Sequence, residues 1–340
     1  MAQKKSSGSY KLQEAFIGMV RDILPPNLSL ANELSELLEI SQDSAYRRMR
    51  CETAMSIDEV VKVCQKYKIP FSPLKEIESD SITFHVRPLT NDDATFTKYL
   101  SDLLDSLKLI RKFPDAEIIY AAEEIPVFHH FGFPELMAFK FYYWNKEILN
   151  SDFTIGKKFS PSLIPPNWLK LGDEILNLYN QISSLEIWSE NTINSTYKQI
   201  EFFWDSGLFE SKELAMKVVD QFEKMVRNIE VQAENSIKSK SPQLKKMDLA
   251  SVKFDLYRSD VTIGNNVILV KMNNIQATYI SYHTMNFMTT TSAAFSDQTE
   301  LWIKNLLKKA TLISGVSEKY RYQFFKAKYE SIAKLKEKIN

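Results

Sequence analysis

Between Leu34 and Arg50 the chain reads LSELLEISQDSAYRRMR, a spacing that leaves few choices for its local fold. Leu34, Leu38 and Ile40 are apolar where one helix and the turn after it must pack on a second helix. Ser35 is small enough to let the two approach closely. Ser41 stands at the N-cap position, where a side-chain oxygen accepts from a free amide of the helix that follows. Counted from Gln42 at about 100° per residue, Ala45 and Met49 fall at about 300° and 340°, while Asp43, Arg50 and Arg47 fall at about 100°, 80° and 140°. One face therefore packs and the other reaches outward, the pattern of a helix-turn-helix.

The residues around it extend the same style of sequence over 10–77. LQEAFIGMVRDIL, a break at Pro25-Pro26, SLANELSELLE, SQDSAYRRMR and SIDEVVKVCQKY read as short helices of one small all-α domain. Ser56 and Glu59 form a capping box ahead of Ile57, Val60, Val61 and Cys64, which share one apolar face and place Cys64 in a core. Residues 1–9 read as a disordered polar tail.

Bulk numbers narrow the function classes. Lys plus Arg equals Asp plus Glu at 43 each, so no global field draws the chain to polyanions and a nucleic-acid site must come from a local patch. Cys51 and Cys64 are too few for a disulfide framework and have no nearby histidines for zinc, which fits a reducing compartment. The start lacks an apolar run of signal-peptide length, and no stretch approaches ~18 uninterrupted apolar residues. A cytoplasmic location without membrane attachment is expected.

After a polar linker with a short strand over 78–93, a second region opens with a helix (FTKYLSDLLDSLKLIRKF), a β-rich run (AEIIYAAEEIPVF) and an aromatic helix starting at Pro134. From Pro165 to about Lys240 the pattern reads as helical throughout, with 12 acidic and five basic residues between Asp173 and Glu234. Beyond SKSPQ come three strands, SVKFDLYRS, NVILVKM and QATYISYH, with turns at Gly264-Asn265-Asn266 and Asn273-Asn274. Two helices close the chain, and Lys304–Lys338 holds ten basic against three acidic residues, so the terminal helix is expected to dock on the acidic segment of the same or a partner subunit. The expected fold class is α+β, mainly α. It combines an N-terminal all-α helix-turn-helix domain with a larger α+β domain over 94–340 built on a small antiparallel sheet.

The outward face suits DNA. In a helix-turn-helix the start of the second helix meets base edges in the major groove, where Arg47 or Arg50 can bond guanine in bidentate fashion. Ser41 points the positive helix end at phosphate, Gln42 and Ser44 can read bases or phosphate, and Asp43 shares the face. Tyr46 and Arg48, on the flanks, suit backbone contacts. The competing use of these residues is an Asp43–Arg47 pair on a merely solvated helix.

Through LSELLEIS, SAYRRMR and SIDEVVKVCQKYKIPFSPL, residues 28–77 resemble the lambda-repressor and Cro-like (Xre) class of bacterial helix-turn-helix domains. Two positions depart from that class: its usual turn glycine is Glu39, and its frequent glycine after the recognition helix is Cys51. Through EIIYAAEEIPVFHHFGFPELMAFKFYYW and ELWIKNLLKKATLISG the chain also resembles uncharacterised bacterial transcriptional regulators that follow such a domain with a long α+β region. The resemblance implies transcriptional regulation.

Other candidates carry less. His129 and His130 lack a partner at metal-ligand spacing and read as core or pocket histidines. Glu123 and Glu124 are adjacent rather than placed as acid and base. VTIGNNVILV has one glycine and continues as a strand, so it reads as a hairpin instead of a dinucleotide loop. TMNFMTTTSAAFSD reads as a loop ending in a helix cap, with hydroxyls able to hold a ligand. Phe139, Phe141, Tyr142, Tyr143 and Trp144 read first as core and second as a pocket lining.

The expected function is a sequence-specific DNA-binding regulator on double-stranded DNA, without a cofactor, metal or enzymatic activity. Small domains discriminate poorly alone, so a homodimer on two half-sites is expected, joined beyond residue 78 where an unknown small-molecule or protein effector could also act. The alternatives are a protein-interaction scaffold and an enzyme with an appended DNA-binding domain.

Overall fold

The structure is a computed structural model that describes residues 11–25, 28–67, 82–238 and 252–340. The polar tail, Pro26 of the expected break, residues 68–81 and the SKSPQ segment lie outside the described residues. Two compact units divide the chain: one runs to His85 and includes Thr290–Phe295, the other comprises Val86–Thr289 and Ser296–Asn340.

In the first unit four helices follow in order: α1 (Lys11–Ile23), α2 (Leu30–Leu38), α3 (Gln42–Met49) and α4 (Ile57–Tyr67). Phe16, Ile17, Val20, Leu24, Leu30, Leu34, Leu38, Ala45, Val63 and Cys64 make its core. The capping box forms as the sequence predicts: Glu59 N–H donates to Ser56 Oγ at 3.1 Å and Ser56 N–H to Glu59 Oε2 at 2.9 Å. The apolar face of α4 differs from expectation. Val63 and Cys64 are buried with Val60 and Tyr67 packed beside them, while Ile57 and Val61 are exposed. The buried set follows an i, i+3, i+4, i+7 stripe that starts at Val60; Val61 falls off it, and Ile57, on the Cys64 side of the stripe, is left exposed at the first helical position.

The other elements lie wholly or mainly in the second unit: β1 (His85–Val86), α5 (Asp93–Arg111), β2 (Glu117–Ala122), α6 (Pro134–Tyr143), α7 (Pro166–Tyr179), β3 (Ser183–Ser189), α8 (Asn194–Asp205) and α9 (Lys212–Asn235). After them come β4 (Phe254–Ser259), β5 (Val267–Met272), β6 (Ile275–Tyr282), β7 (Asn286–Thr290), α10 (Ala293–Leu307), β8 (Ala310–Leu312) and α11 (Glu318–Ile339). Pro134 sits in the first turn of α6, where its missing N–H is no loss.

The strands form one mixed sheet in the order β1-β7-β6-β5-β2-β3-β4-β8. β2, β3 and β4 run parallel, while β5 is antiparallel to β2, β6 to β5 and β8 to β4. The expected small antiparallel sheet is thus replaced by an eight-stranded sheet with a parallel centre. The missing piece was β3, in a stretch read as wholly helical. Most of its side chains are buried on both faces, so its polar positions, Ser184 and Glu186, lie in a core and not on a solvent side. β7 likewise lies in a stretch read as a loop.

Helices cover the two sheet faces unequally. Ile118, Tyr120, Ala122, Trp188, Phe254 and Leu256 join the large core with residues of α5 to α9 and α11. On the opposite face Ile119, Ala121, Ile187 and Leu269 meet Ile303 and Leu306 of α10. The basic terminal helix docks on the acidic segment of its own chain: Lys336 Nζ lies 2.6 Å from both Asp220 and Glu223, and Lys338 Nζ 3.1 Å from Glu201 and 2.6 Å from Asp205.

Candidate nucleic-acid interface

Helix α2 ends because Glu39 turns left-handed, at φ 55° and ψ 42°, and its N–H donates back to Ser35 O. Ser35 also serves the turn with its side chain, donating Oγ–H to Ile40 O at 2.6 Å. Ser41 then caps α3, accepting from Ser44 N–H at 3.2 Å. Cys51 is left-handed as well, at φ 58°. Both positions where the resembled class places glycine therefore adopt the backbone conformation glycine favours, at some cost to each side chain.

Ala45, fully buried, faces the core with Leu34 and Leu38, and Met49 packs against the same cluster. That leaves Ser41, Gln42, Asp43, Tyr46 and Arg47 exposed and Ser44 half-buried on the outer side. Gln42 Nε2 donates to Asn32 Oδ1 at 2.9 Å, an exposed tie between α3 and α2. Arg47 pairs with Asp43 at 3.0 Å, but their side chains remain 58% and 69% exposed. Such a pair is worth only ~0–1 kcal/mol and exchanges readily for a phosphate or base edge.

One arginine of the cluster, Arg48, stands elsewhere than expected. Arg48 is drawn inward: Nη2 and Nε lie 2.7 and 3.1 Å from the two oxygens of Glu59, Nη1 donates to Ser44 O at 3.2 Å, and its side chain is 17% exposed. This bidentate bond holds the Glu59 carboxyl below the usual carboxylate range. Arg48 thus braces α3 against α4 instead of standing free for a DNA backbone contact. Arg50 is the C-cap, one residue beyond the last helical position, and stays exposed with its side chain paired to Glu52 at 3.0 Å.

Gln13 of α1 gave no signal in the sequence. Its Nε2 donates to Arg48 O and Thr53 O, and its Oε1 accepts from Met55 N–H, each at 2.9 Å. One amide thereby fastens the turn between α3 and α4. Tyr67 and Lys66 tie the end of α4 to α2 by meeting Glu33 at 2.7 and 2.8 Å.

Electrostatically the helical region is not basic, with nine basic and ten acidic side chains over residues 10–77. Attraction to a polyanion here depends on the local face of α3.

His129, His130, Glu124 and Glu186 of the second unit sit in internal networks. His129 and His130 are buried, with Nε2 of each 2.8 Å from Glu186 Oε1 and 2.9 Å from Thr196 Oγ1 respectively. Glu186, on β3, also accepts from Tyr179 Oη–H and Trp188 Nε1–H. Burial pushes its carboxyl up, but His129, Lys238 and the Tyr179 hydroxyl outweigh that and leave it below its ordinary value. Lys140 Nζ donates to Gln199 Oε1 at 2.9 Å and lies 3.7 Å from Glu124, whose Oε2 accepts from Ser195. Burial lowers Lys140, partly offset by Glu124. The aromatic residues Phe139, Phe141 and Tyr142 are fully buried core. Among the described residues no group of three or more His, Cys, Asp or Glu is placed to hold a metal, and no helix is long and apolar enough to cross a membrane.

No protein-family model, no curated protein and no solved structure matches the chain.

Proposed function

We propose that this chain is a sequence-specific DNA-binding transcriptional regulator whose first unit reads the major groove with α3. The observation that carries this is the α2–α3 corner: Ala45 is locked inward while Ser41, Gln42, Asp43, Tyr46 and Arg47 stand together on the exposed side of a capped helix. Arg47 is the base-reading residue of choice, since among the described residues its side chain pairs only with an exposed carboxylate that a guanine edge can displace. Gln42 and Ser44 lie at the helix start, where base edges come closest, and the Ser41-capped amides favour a phosphate. Tyr46 suits a backbone contact.

Because the helical region has no basic surplus, few phosphates are neutralised per copy. The salt dependence of binding is correspondingly shallow, with a slope of about −2 to −4 for two to four contacts. Two copies on paired half-sites raise discrimination to a useful level, with the second unit holding them together and open to an effector.

Pull-down of genomic DNA fragments by the full chain, followed by sequencing, tests the proposal. A recurrent motif with half-sites about 10 base pairs apart is expected, lost in Arg47→Ala. Fragment recovery without a motif, or a motif that survives Arg47→Ala and Gln42→Ala together, would refute it in favour of a protein-interaction role for the same helices.

A further inference from the structure

We propose that two copies of the chain associate through α10 and the β8 edge of the sheet, with the α10 helices antiparallel across a two-fold axis near Leu301. The inference rests on the second unit alone and stands or falls independently of DNA binding.

The smaller core on this face draws its helical members from α10 alone among the described residues. A helix about 10 Å across covers two or three strands at about 4.8 Å spacing, whereas this sheet has eight. α10 is pinned toward one side of the sheet. Glu300 meets Lys271 of β5 at 2.8 Å and Gln276 of β6 at 3.0 Å, and Ser296 bonds Thr278 of β6.

Two residues on from Glu300, Trp302 lies about 160° round the helix, on the flank toward β4 and β8. That flank of the sheet is apolar and thinly covered. Ile187, Tyr257 and Leu312 are cross-strand neighbours on the α10 face; Tyr257 is half-buried and Leu312 exposed.

Trp302 and Leu312 run back from the same turn at Lys308-Lys309. Trp302 is five helical residues from Leu307, about 7.5 Å, and Leu312 two strand residues from Ala310, about 6.6 Å, so they stand roughly abreast. Leu301, at 59% exposure, is the most exposed large apolar residue of α10, and Trp302 is 41% exposed. Leu301, Trp302, Leu312 and Tyr257 thus form one apolar strip.

What fits this strip is a second copy, because the polar residues around it are self-complementary. Gln298 and Asn305 lie three residues before Leu301 and three after Trp302, so antiparallel helices place each amide opposite the other's. Exposed charge divides the same way, with Asp297 near the start of α10 and Lys304, Lys308 and Lys309 toward and beyond its end. The antiparallel arrangement brings Asp297 near the partner's Lys308 at both ends of the contact and sets Leu301 and Trp302 of the two copies at its centre. Central, desolvated aromatic and aliphatic residues carry most of the affinity in such interfaces.

Sedimentation equilibrium of the full chain without DNA tests this. The wild type is expected to be a dimer. Leu301→Glu with Trp302→Glu should raise the dissociation constant at least about 100-fold while leaving the circular dichroism of the folded chain unchanged, since both side chains are exposed. Lys308→Glu should weaken the dimer and Asp297→Lys added to it should restore it. The proposal is overturned by a monomeric wild type, by a dimer that survives Leu301→Glu/Trp302→Glu, or by isolation of the chain with a different protein seated on this face. Failure of the charge exchange to restore association would exclude the antiparallel arrangement.

Discussion

Replacing Gln13 by alanine should loosen the turn that sets the end of α3. The side chain makes three hydrogen bonds at 2.9 Å, to Arg48 O, Thr53 O and Met55 N–H, and all three are partly buried. Each such bond is worth ~0.5–1.5 kcal/mol net, and water can reach part of what is left unpaired, so the lower half of the range applies and the total is about 2 kcal/mol. Local opening should therefore become about 30-fold more populated, at about 1.4 kcal/mol per tenfold. Hydrogen exchange on the full chain reads this directly, as faster exchange of amides in Arg48–Met55 and α3 with little change in the second unit. Gln13→Glu keeps the acceptor for Met55 N–H and loses both donors, so it should be at least as damaging. A change below twofold in Gln13→Ala would refute the idea that this amide fastens the turn.

Arg47→Ala should leave stability within about 0.5 kcal/mol, the usual worth of an exposed i,i+4 pair, while weakening binding to the selected DNA site by about 1–3 kcal/mol in fluorescence anisotropy. Glu39→Gly should stabilise the first unit by about 0.5–1 kcal/mol in hydrogen exchange, because relief of the left-handed strain exceeds the added chain entropy. Glu300, held down to about 2 by Lys271 first and then Lys304 and Gln276, should give a pH signature. Its folded value lies below its ordinary one, so its contribution is present at neutral pH and fades as pH falls from about 4.5 toward 2. Wild type should exceed Glu300→Gln in thermal stability at pH 7, with the gap closing by pH 2; a gap independent of pH would contradict the ion-pair account.

The α2–α3 corner was legible because its determinants are local. Ser41, Ala45 and Met49 fix a cap and a packed face within nine residues, and the capping box at Ser56 and Glu59 needs only three. Local reading failed where partners come from afar. Glu59, eleven residues from Arg48, removes that guanidinium from the outer face, and Gln13 reaches across more than thirty residues to the same turn. β3 escaped notice because its buried Glu186 and Ser184 read as polar, and only His129, Tyr179 and Trp188 in three dimensions explain a carboxylate in the core. The docking of α11 was legible from opposite charge alone, since 12 acidic residues between Asp173 and Glu234 face a segment with ten basic ones.

Photo-crosslinking from the outer face of α3 tests the central claim most directly. A photoreactive aromatic residue in place of Tyr46, which is exposed, should join covalently to duplex DNA carrying the selected motif, at bases or sugars within one half-site. The same group in place of Tyr320, equally exposed in the second unit, serves as the comparison and should give at most weak, scattered products. Crosslinking from position 320 but not from position 46, or from neither when the DNA is bound, would contradict the claim that this helix face meets the duplex.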